Sequence, residues 1–388
     1  MKKVDLKVKP RLILHLNNLD ENCKKIAGNA NGKTIRLATK SIRSIPVLRR
    51  ILASSPVFQG LMCYCSQEAL FLHKQGFNDI LIGYPSLDKE AIINIARANK
   101  NGAKIIYMVD HIQQLEALQS IAKEHDGLIY TCLDIDMSVK IAGFHFGVRR
   151  SPLKHVEEVL TLAAYVKKQS HLRMLGVMGY EAQIAGVPDQ LPQKIGVNKV
   201  VQLLKKRSLS IVKKRRYDIV QALTAAGYSL ELVNGGGTGS LQTTAKEDVI
   251  TEITVGSGFY APILFDYFQE RIETNASLFF TLPIVRKPAE NIYTCLGGGY
   301  IASGSAGNSK LPQPVYPKGS KLIPVEGAGE VQTPVYIRSR HIKIGDIIVF
   351  RAAKAGEICE RFTEIVCVSN GKIVDYYPTY RGEGECFF

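Results

Sequence analysis

Short apolar runs alternate with amphipathic stretches along the first two thirds of the chain. Arg11-Leu12-Ile13-Leu14-His15-Leu16 reads as a strand, and Asp20 to Ala27 as a short helix. Thr34 to Ala38 is the next strand. Ser44 follows as an N-cap, ahead of Ile45, Leu48, Ile51 and Leu52 at helical spacing. The same rhythm then repeats. Strands are expected at Leu61–Cys65, Ile80–Tyr84, Ile105–Val109, Leu128–Ile135, Met174–Gly179, Leu230–Asn234 and Glu252–Val255. Helices fall between them: from the cap Ser66 to Gly76, from Asp88 to Asn99, from the cap Asp110 to Glu124, and from Pro152 to Lys168.

Counted from Ile35, these are eight strands alternating with helices, and their apolar runs are short and nearly continuous. That is the signature of a parallel sheet covered on both faces. The fold class is therefore α/β, with a (β/α)8 barrel expected. An open doubly wound sheet is the competing architecture, because periodicity does not report closure. After Asp266 the texture changes. Short β-rich runs at Leu278–Val285, Ile292–Leu296, Ile347–Arg351, Ile365–Val368 and Ile373–Tyr377 are separated by Gly and Pro clusters. We expect a barrel domain over residues 1–265 and a smaller all-β domain over 266–388, with the first strand belonging to either. The stretch from Gly297 to Pro334 is rich in Gly, Ser and Pro but carries varied polar detail, so it reads either as a linker or as a loop packed near a site.

Composition narrows the function. The chain has 388 residues, 46% of them hydrophobic, enough to bury a sizeable core. No apolar run is long enough to span a membrane. Met1-Lys2-Lys3-Val4-Asp5 lacks the apolar segment of a signal peptide. The eight cysteines are scattered without a CxxC pair, which suits reduced thiols; a cytoplasmic location is expected. The net charge of +15 raises nucleic-acid binding. Yet the densest basic runs, Lys205-Lys206-Arg207 and Lys213-Lys214-Arg215-Arg216, are interleaved with Ile211, Val212, Ile219, Val220 and Leu223. That pattern predicts one amphipathic helix with a solvated basic face. Zinc-finger spacing and RNP-like aromatics are lacking, so no nucleic-acid partner is expected. The positive charge suits anionic small molecules instead.

The candidate chemistry begins at Lys40, where a strand hands over to a helix. In parallel α/β folds ligands bind at that edge. Arg36 and Arg43 flank it, and like charges would favour its neutral amine, the form that attacks a carbonyl. The bland alternative is a solvated basic loop. Two Gly-rich turns follow the last two barrel strands: Asn234-Gly235-Gly236-Gly237-Thr238-Gly239-Ser240, and Gly256-Ser257-Gly258-Phe259-Tyr260. Glycines let backbone N–H groups approach an anion, and the loops after strands 7 and 8 are where phosphate sites of this barrel usually lie. Neither turn fits the P-loop pattern. Two tight rim turns with no ligand are the alternative. Together, a lysine after strand 1 and a phosphate cradle after strands 7 and 8 suit pyridoxal 5′-phosphate.

At this point the chain resembles the fold-type III pyridoxal phosphate enzymes, the alanine racemase-like group. Within it, the chain is similar to the D-threonine aldolase and D-serine dehydratase-like branch, and to bacterial proteins called amino acid deaminase/aldolase. The resemblance rests on Arg36–Lys40, Gly147–Pro152, Gly179–Gly186, Val233–Ser240, Gly256–Pro262, Gly327–Pro334 and Lys354–Phe362, and covers nearly the whole chain. It implies a Schiff-base role for Lys40. It implies that Gly236, Gly237, Thr238, Gly256, Ser257 and Gly258 surround the phosphate and that Tyr180 lies beside the cofactor ring. Tyr260 would hydrogen-bond the phosphate or cap the barrel. Arg149 and Arg150 would bind a substrate carboxylate, or are exposed loop charges.

The resemblance implies a PLP-dependent lyase acting on D-amino acids, with a β-hydroxyl expected on the substrate and a homodimer as the assembly. A racemase is the alternative; racemases of this fold need a second acid/base on the opposite ring face, often a tyrosine from the partner subunit, and Tyr300, Tyr376, Tyr377 and Tyr380 are the candidates. A non-catalytic PLP carrier is another, but such carriers lack the C-terminal β domain. Relatives in this branch carry His-x-Cys or His-x-Asp near the cofactor, binding a divalent ion (Zn, Mn or Mg). Here Glu357 stands in place of the histidine and Cys359 remains. On an extended chain both would face one ion, although two ligands make an incomplete site. The alternative is a buried Cys359 and a Glu357 salt-bridged to Lys354 or Arg361.

Overall fold

The computed structural model of the protein describes residues 9–192, 194–304, 307–339 and 341–387; the N-terminal stretch Met1–Asp5 lies outside them. The chain opens with strand β1 (Arg11–His15) and helix α1 (Leu16–Gly28). The barrel then builds in sequence: β2 (Thr34–Ala38), α2 (Ile45–Ser54), β3 (Phe58–Cys63), α3 (Ser66–Lys74), β4 (Asp79–Ile82), α4 (Lys89–Lys100), β5 (Lys104–Val109), α5 (Ile112–Glu124) and β6 (Ile129–Asp134). A small hairpin, β7 (Val139–Ile141) and β8 (Phe144–Phe146), precedes α6 (Val156–Lys167) and β9 (Leu172–Gly179). After α7 (Ala182–Ala185) and the long α8 (Ile195–Ala225) come β10 (Leu232–Gly235), α9 (Leu241–Thr244), β11 (Glu252–Val255) and α10 (Ser257–Tyr260).

Parallel pairing closes β2, β3, β4, β5, β6, β9, β10 and β11 into a barrel, with β11 beside β2. The open-sheet alternative is excluded. The continuous apolar runs follow from this closure, since both faces of each strand are covered. Along β5, Ile105, Tyr107 and Val109 pack outward against helices. Ile106 and Met108 join Leu81, Cys132, Leu175, Met178 and Leu232 inside the barrel. One end of the interior is sealed by Arg36, 2% exposed, whose guanidinium pairs with Glu252 at 2.8 Å and Asp79 at 2.9 Å.

The remaining strands are β12 (Leu278–Ala289), β13 (Ile292–Leu296), β14 (Gln313–Tyr316), β15 (Lys321–Leu322), β16 (Gln332–Tyr336), β17 (Ile347–Arg351), β18 (Glu364–Ser369) and β19 (Lys372–Pro378). They form a separate, mostly antiparallel sheet in the order β15-β16-β13-β12-β1-β18-β19, with β17 bridging β12 and β14. The N-terminal strand β1 belongs to this sheet: it lies antiparallel to β12 and parallel to β18. Sequence missed β14, β15 and β16, because Pro and Gly break their short runs.

Local details differ from the expectation in ways that have physical causes. Cys65 and His111 occupy the N-cap positions assigned to Ser66 and Asp110. Ser44 is the N-cap residue of α2, but its hydroxyl donates to the Pro378 carbonyl at 2.8 Å instead of capping. The basic face of α8 is not simply solvated. Arg216 is 2% exposed, Lys205 pairs with buried Asp189 at 3.0 Å, and Arg215 donates to the carbonyls of Asp136 and Ser138. Much of the densest charge run therefore holds the fold together. No helix among the described residues is long and apolar enough to cross a membrane.

Candidate active site

A cavity of about 750 Å³ opens at the end of the barrel where β2, β4, β9, β10 and β11 finish, and the second sheet's loops form its other wall. Lys40 sits in the one-turn segment Thr39–Ser41 that follows β2, and its exposed side chain reaches into this space. The Nζ atom donates to Tyr84 Oη at 2.9 Å, and Tyr84 itself follows the end of β4. Neither flanking arginine acts as a bare charge on the lysine, correcting that expectation. Arg36 is neutralised at the far end of the barrel. Arg43 pairs with Glu360 at 2.6 Å and donates from Nε to the Lys40 carbonyl at 3.0 Å.

The two Gly-rich turns form the floor beside Lys40. Gly236, Gly237, Thr238, Gly256 and Ser257 all line the cavity. Gly256 has no room for a side chain: a Cβ there would lie 2.8 Å from the Ala38 and Ser41 Cβ atoms. Ser257 Oγ is 3.2 Å from Ser41 Oγ. The first turn is held from behind by Glu181, which accepts from Gly236 N at 3.2 Å and from Ser240 Oγ at 2.8 Å. Glu181 is paired in turn with Arg216 at 2.8 Å, each side chain being 2% exposed, and Arg216 also pairs with Glu247. A buried arginine between two carboxylates fixes the turn geometry without a flexible surface contact.

Tyr180 lies at the end of β9 with its ring against Gly237; a Cβ on that glycine would approach the ring edge at 3.3 Å. Burial, with Glu181 adjacent, raises its hydroxyl to about 12. Arg150 enters the cavity with its guanidinium 5.5 Å from the Tyr84 ring centre, whereas the exposed Arg149 does not line it. Of the two readings of Tyr260 the geometry fits the cap, and Gly258 stands outside the cavity lining. Tyr260 is 1% exposed and donates to the Ile42 carbonyl at 3.0 Å, so it braces the Lys40 turn rather than facing an anion. Gly258 does not line the cavity, and its N–H is spent on Thr238 Oγ1 at 2.9 Å.

The opposite wall comes from the second sheet's loops: Ser303, Lys354, Glu357, Glu360, Arg361 and Arg381. Its docking is backbone-driven. Ile263 and Leu264 N–H groups donate to Ala352 and Ala353 carbonyls at 3.1 Å, and Arg351 binds the Ala261 carbonyl and Asp266. Gly356 then passes against the Lys40 turn with φ +78°, where a Cβ would overlap the Lys40 carbonyl. Only glycine fits that close approach. Lys354 donates to the Ser303 carbonyl at 2.7 Å. Burial and the nearby Lys310 lower its pKa, with Glu357 opposing.

The family description "alanine racemase, N-terminal domain" matches residues 14–260. The chain belongs to that family. A curated relative, 3-hydroxy-D-aspartate aldolase of Paracoccus denitrificans (strain Pd 1222), is 25% identical over 260 residues, 66% of this chain. That match spans 61% of the relative, so it covers about three fifths of its length. Among solved structures, D-threonine aldolase from Filomicrobium marinum superposes with a TM-score of 0.83 at 18% identity, covering 98% of this chain and 96% of that one. D-threo-3-hydroxyaspartate dehydratase from Delftia sp. HT23 gives 0.75 at 16% identity, covering 97% and 98%. These structural likenesses carry the whole fold, barrel and second sheet together.

The alanine racemase family implies pyridoxal 5′-phosphate, and the residues present fit it. A lysine amine projects into the cavity, the barrel mouth beside it is lined with glycine backbone and the hydroxyls of Thr238 and Ser257, and a neutral aromatic ring stands at the side. The divalent ion does not fit as well. Glu357 and Cys359 lie in a 3-10 turn, Glu357–Arg361, not on extended backbone, so alternate side chains do not share a face. Cys359 is wholly buried outside the cavity lining, and burial pushes its thiol up to about 12. The Glu357 carboxylate accepts from Ser303 N–H with both oxygens, at 3.0 and 3.1 Å. Among the described residues no group of three His, Cys, Asp or Glu side chains gathers around a common point.

Sequence reasoning missed Tyr84, the Glu181–Arg216–Glu247 cluster and Arg381 of the second wall. The Tyr84 position was readable as a strand end, like Lys40, but carried no motif. Of the tyrosines weighed for a racemase, Tyr380 is buried with its hydroxyl on Glu68 at 2.9 Å, and Tyr300 packs against Phe280 and Phe362. None of the four lines the cavity of its own chain, so a role for any of them in racemisation would be across a subunit interface.

Proposed function

We propose that the protein is a pyridoxal phosphate-dependent lyase acting on D-amino acids that bear a β-hydroxyl, by aldol cleavage or dehydration. The observation that carries this is Lys40 reaching into a cavity floored by the two Gly-rich turns. Family membership and the names of the relatives support it. Lys40 would link the cofactor, with Gly236, Gly237, Thr238, Gly256 and Ser257 around its phosphate and Tyr180 beside its ring. Bound there, the cofactor supplies an electron sink for the pair left on Cα when a bond to that carbon breaks.

The chain's own residues supply the rest. Arg150 offers a planar fork for the substrate carboxylate at the cavity edge. Lys40 holds or moves a proton at Nζ. Lys354 and Arg361 add positive charge on the wall facing the lysine, suited to anionic substrate groups. We place the division of labour at residues 265/266, the barrel holding the cofactor and the β domain closing over the substrate. That second wall supports an enzyme over a simple carrier. A divalent ion has no part in this reading, since Glu357 and Cys359 do not converge. A homodimer and a cytoplasmic location complete the proposal, on the family resemblance and the free cysteines.

The test is turnover. Purified protein supplied with pyridoxal phosphate is incubated with D- and L-threonine, D- and L-serine and the 3-hydroxyaspartate stereoisomers. Aldehyde release reports aldol cleavage, and ammonia with a 2-oxo acid reports dehydration. The proposal expects product from D-configured substrates. Turnover confined to L-substrates, or none from any, would overturn it.

A further inference from the structure

Tyr84 has no assigned role, yet it is the side chain that Lys40 Nζ touches, at 2.9 Å. It lines the cavity, on the loop following β4. Two cations lie close to it: Lys40 Nζ beyond the hydroxyl, and the Arg150 guanidinium 5.5 Å from the ring centre. The other ionisable groups facing it are Asp134 at the end of β6 and Tyr180 at the end of β9.

We infer that Tyr84 is a catalytic residue, the proton partner that converts the Lys40 ammonium into a nucleophilic amine and later returns its proton. The inference rests on the cofactor reading above.

A lysine ammonium has no free electron pair, so it must lose a proton before it can bond a carbonyl carbon. In the transfer, one N–H bond of Lys40 breaks and its electron pair stays on Nζ. The proton forms an O–H bond with the Tyr84 phenolate oxygen. An ammonium and a phenolate become a neutral amine and a phenol, so charge and atoms balance within the pair. The reverse transfer restores the ammonium when the lysine is released.

The surroundings suit such a pair. Burial by itself would raise the Tyr84 hydroxyl. Lys40 and Arg150 outweigh burial, and the hydroxyl titrates below its ordinary value although Asp134 opposes them. Asp134 is itself pushed up to about 7 by burial, with Asp110 beside it, which weakens its opposition below neutral pH. A phenylalanine at position 84 would keep the ring beside Arg150 and remove only the oxygen that Lys40 touches.

The test uses cofactor-stripped protein re-supplied with pyridoxal phosphate, with uptake followed by absorbance across a pH series. Tyr84→Phe is expected to load about a hundredfold more slowly at neutral pH, the low end of general acid–base effects. The gap should narrow as the pH rises and solvent hydroxide can take the proton in place of the phenolate. Equal rates for both proteins at every pH would overturn the inference. Wild type that takes up no cofactor would instead sink the functional reading on which the inference stands.

A second readout needs neither turnover nor the Tyr84 variant. In tyrosine-labelled protein, Lys40→Ala should move the lowest-titrating phenol upward by about one pH unit or more, because its ammonium partner is gone. No movement of any phenol would overturn the pairing even if Tyr84→Phe failed to fold.

Discussion

The two walls of the cavity are built on different principles. The part of the barrel wall that the two Gly-rich turns supply is mostly backbone: Gly236, Gly237 and Gly256 with short hydroxyl side chains, locked from behind by Glu181 and Arg216. The wall facing it is mostly long charged side chains, Lys354, Glu357, Glu360, Arg361 and Arg381, carried on loops of the second sheet. A backbone wall has little freedom to lose on binding and suits a fixed anionic group. A side-chain wall can rearrange around substrates. On the reading proposed above, the Gly-rich turns would hold the cofactor, and the facing wall, with Arg150 from the barrel, would choose the substrate.

The largest effect should come from breaking the lock behind the first turn. Glu181→Gln leaves buried Arg216 with Glu247 as its one remaining carboxylate. Removing one partner of a buried ion pair costs about 3–5 kcal/mol. Denaturant unfolding should register that loss, and cofactor affinity should fall with it. Unchanged stability would mean that the cluster does not support the turn.

Gly256→Ala comes next. A Cβ 2.8 Å from those of Ala38 and Ser41 must push the Lys40 turn aside. Overpacking of this kind costs about 1–3 kcal/mol. Cofactor binding, followed by titration, should weaken even where the fold survives.

On the facing wall, Lys354→Met should leave cofactor binding intact and raise KM about tenfold, roughly the 1.4 kcal/mol of one charge-assisted contact. Kinetics on the substrate identified by the turnover test would check it. A loss of cofactor instead of a rise in KM would erase the distinction between the walls.

How much of this was legible in the sequence follows the same division. The barrel strands, Lys40 and both Gly-rich turns were readable because each depends on local pattern: apolar runs, a strand end, consecutive glycines. The facing wall was legible only in part, through the Lys354–Phe362 stretch and the Gly297–Pro334 loop, and not in how its pieces meet. Ser303, Arg361 and Arg381 reach one point only because β1 joins the second sheet and Gly356 slides against the Lys40 turn, and both are long-range pairings. Tyr260 stayed open between its two readings for a related reason. Its place in the second turn was visible, but the direction of its hydroxyl, toward the Ile42 carbonyl, was not. Arg216 was read as solvated because its spacing fits a polar face, while its buried carboxylates come from Glu181 and Glu247, distant in the chain.

The smallest effect concerns pH, at the seam between the walls. Buried Glu68 accepts from Tyr64 N–H and from the Tyr380 hydroxyl, tying the C-terminal segment to the barrel mouth. Burial raises its carboxyl from 4.5 to about 7. Between those values the folded state holds a proton that the unfolded chain has released, so this group's contribution to stability falls as pH rises through that window. Glu68→Gln should flatten that part of the pH–stability curve, measured by thermal unfolding across a pH series. A slope identical to wild type would show that Glu68 is ionised in the fold throughout.

The central claim is that Lys40 carries the cofactor, and borohydride reduction tests it most directly. Protein incubated with pyridoxal phosphate is reduced, digested and mapped by mass spectrometry. The account predicts a visible absorption band that reduction removes, one phosphopyridoxyl group on the peptide containing Lys40, and neither in Lys40→Ala. A label spread over surface lysines, or retained in full by Lys40→Ala, would contradict it.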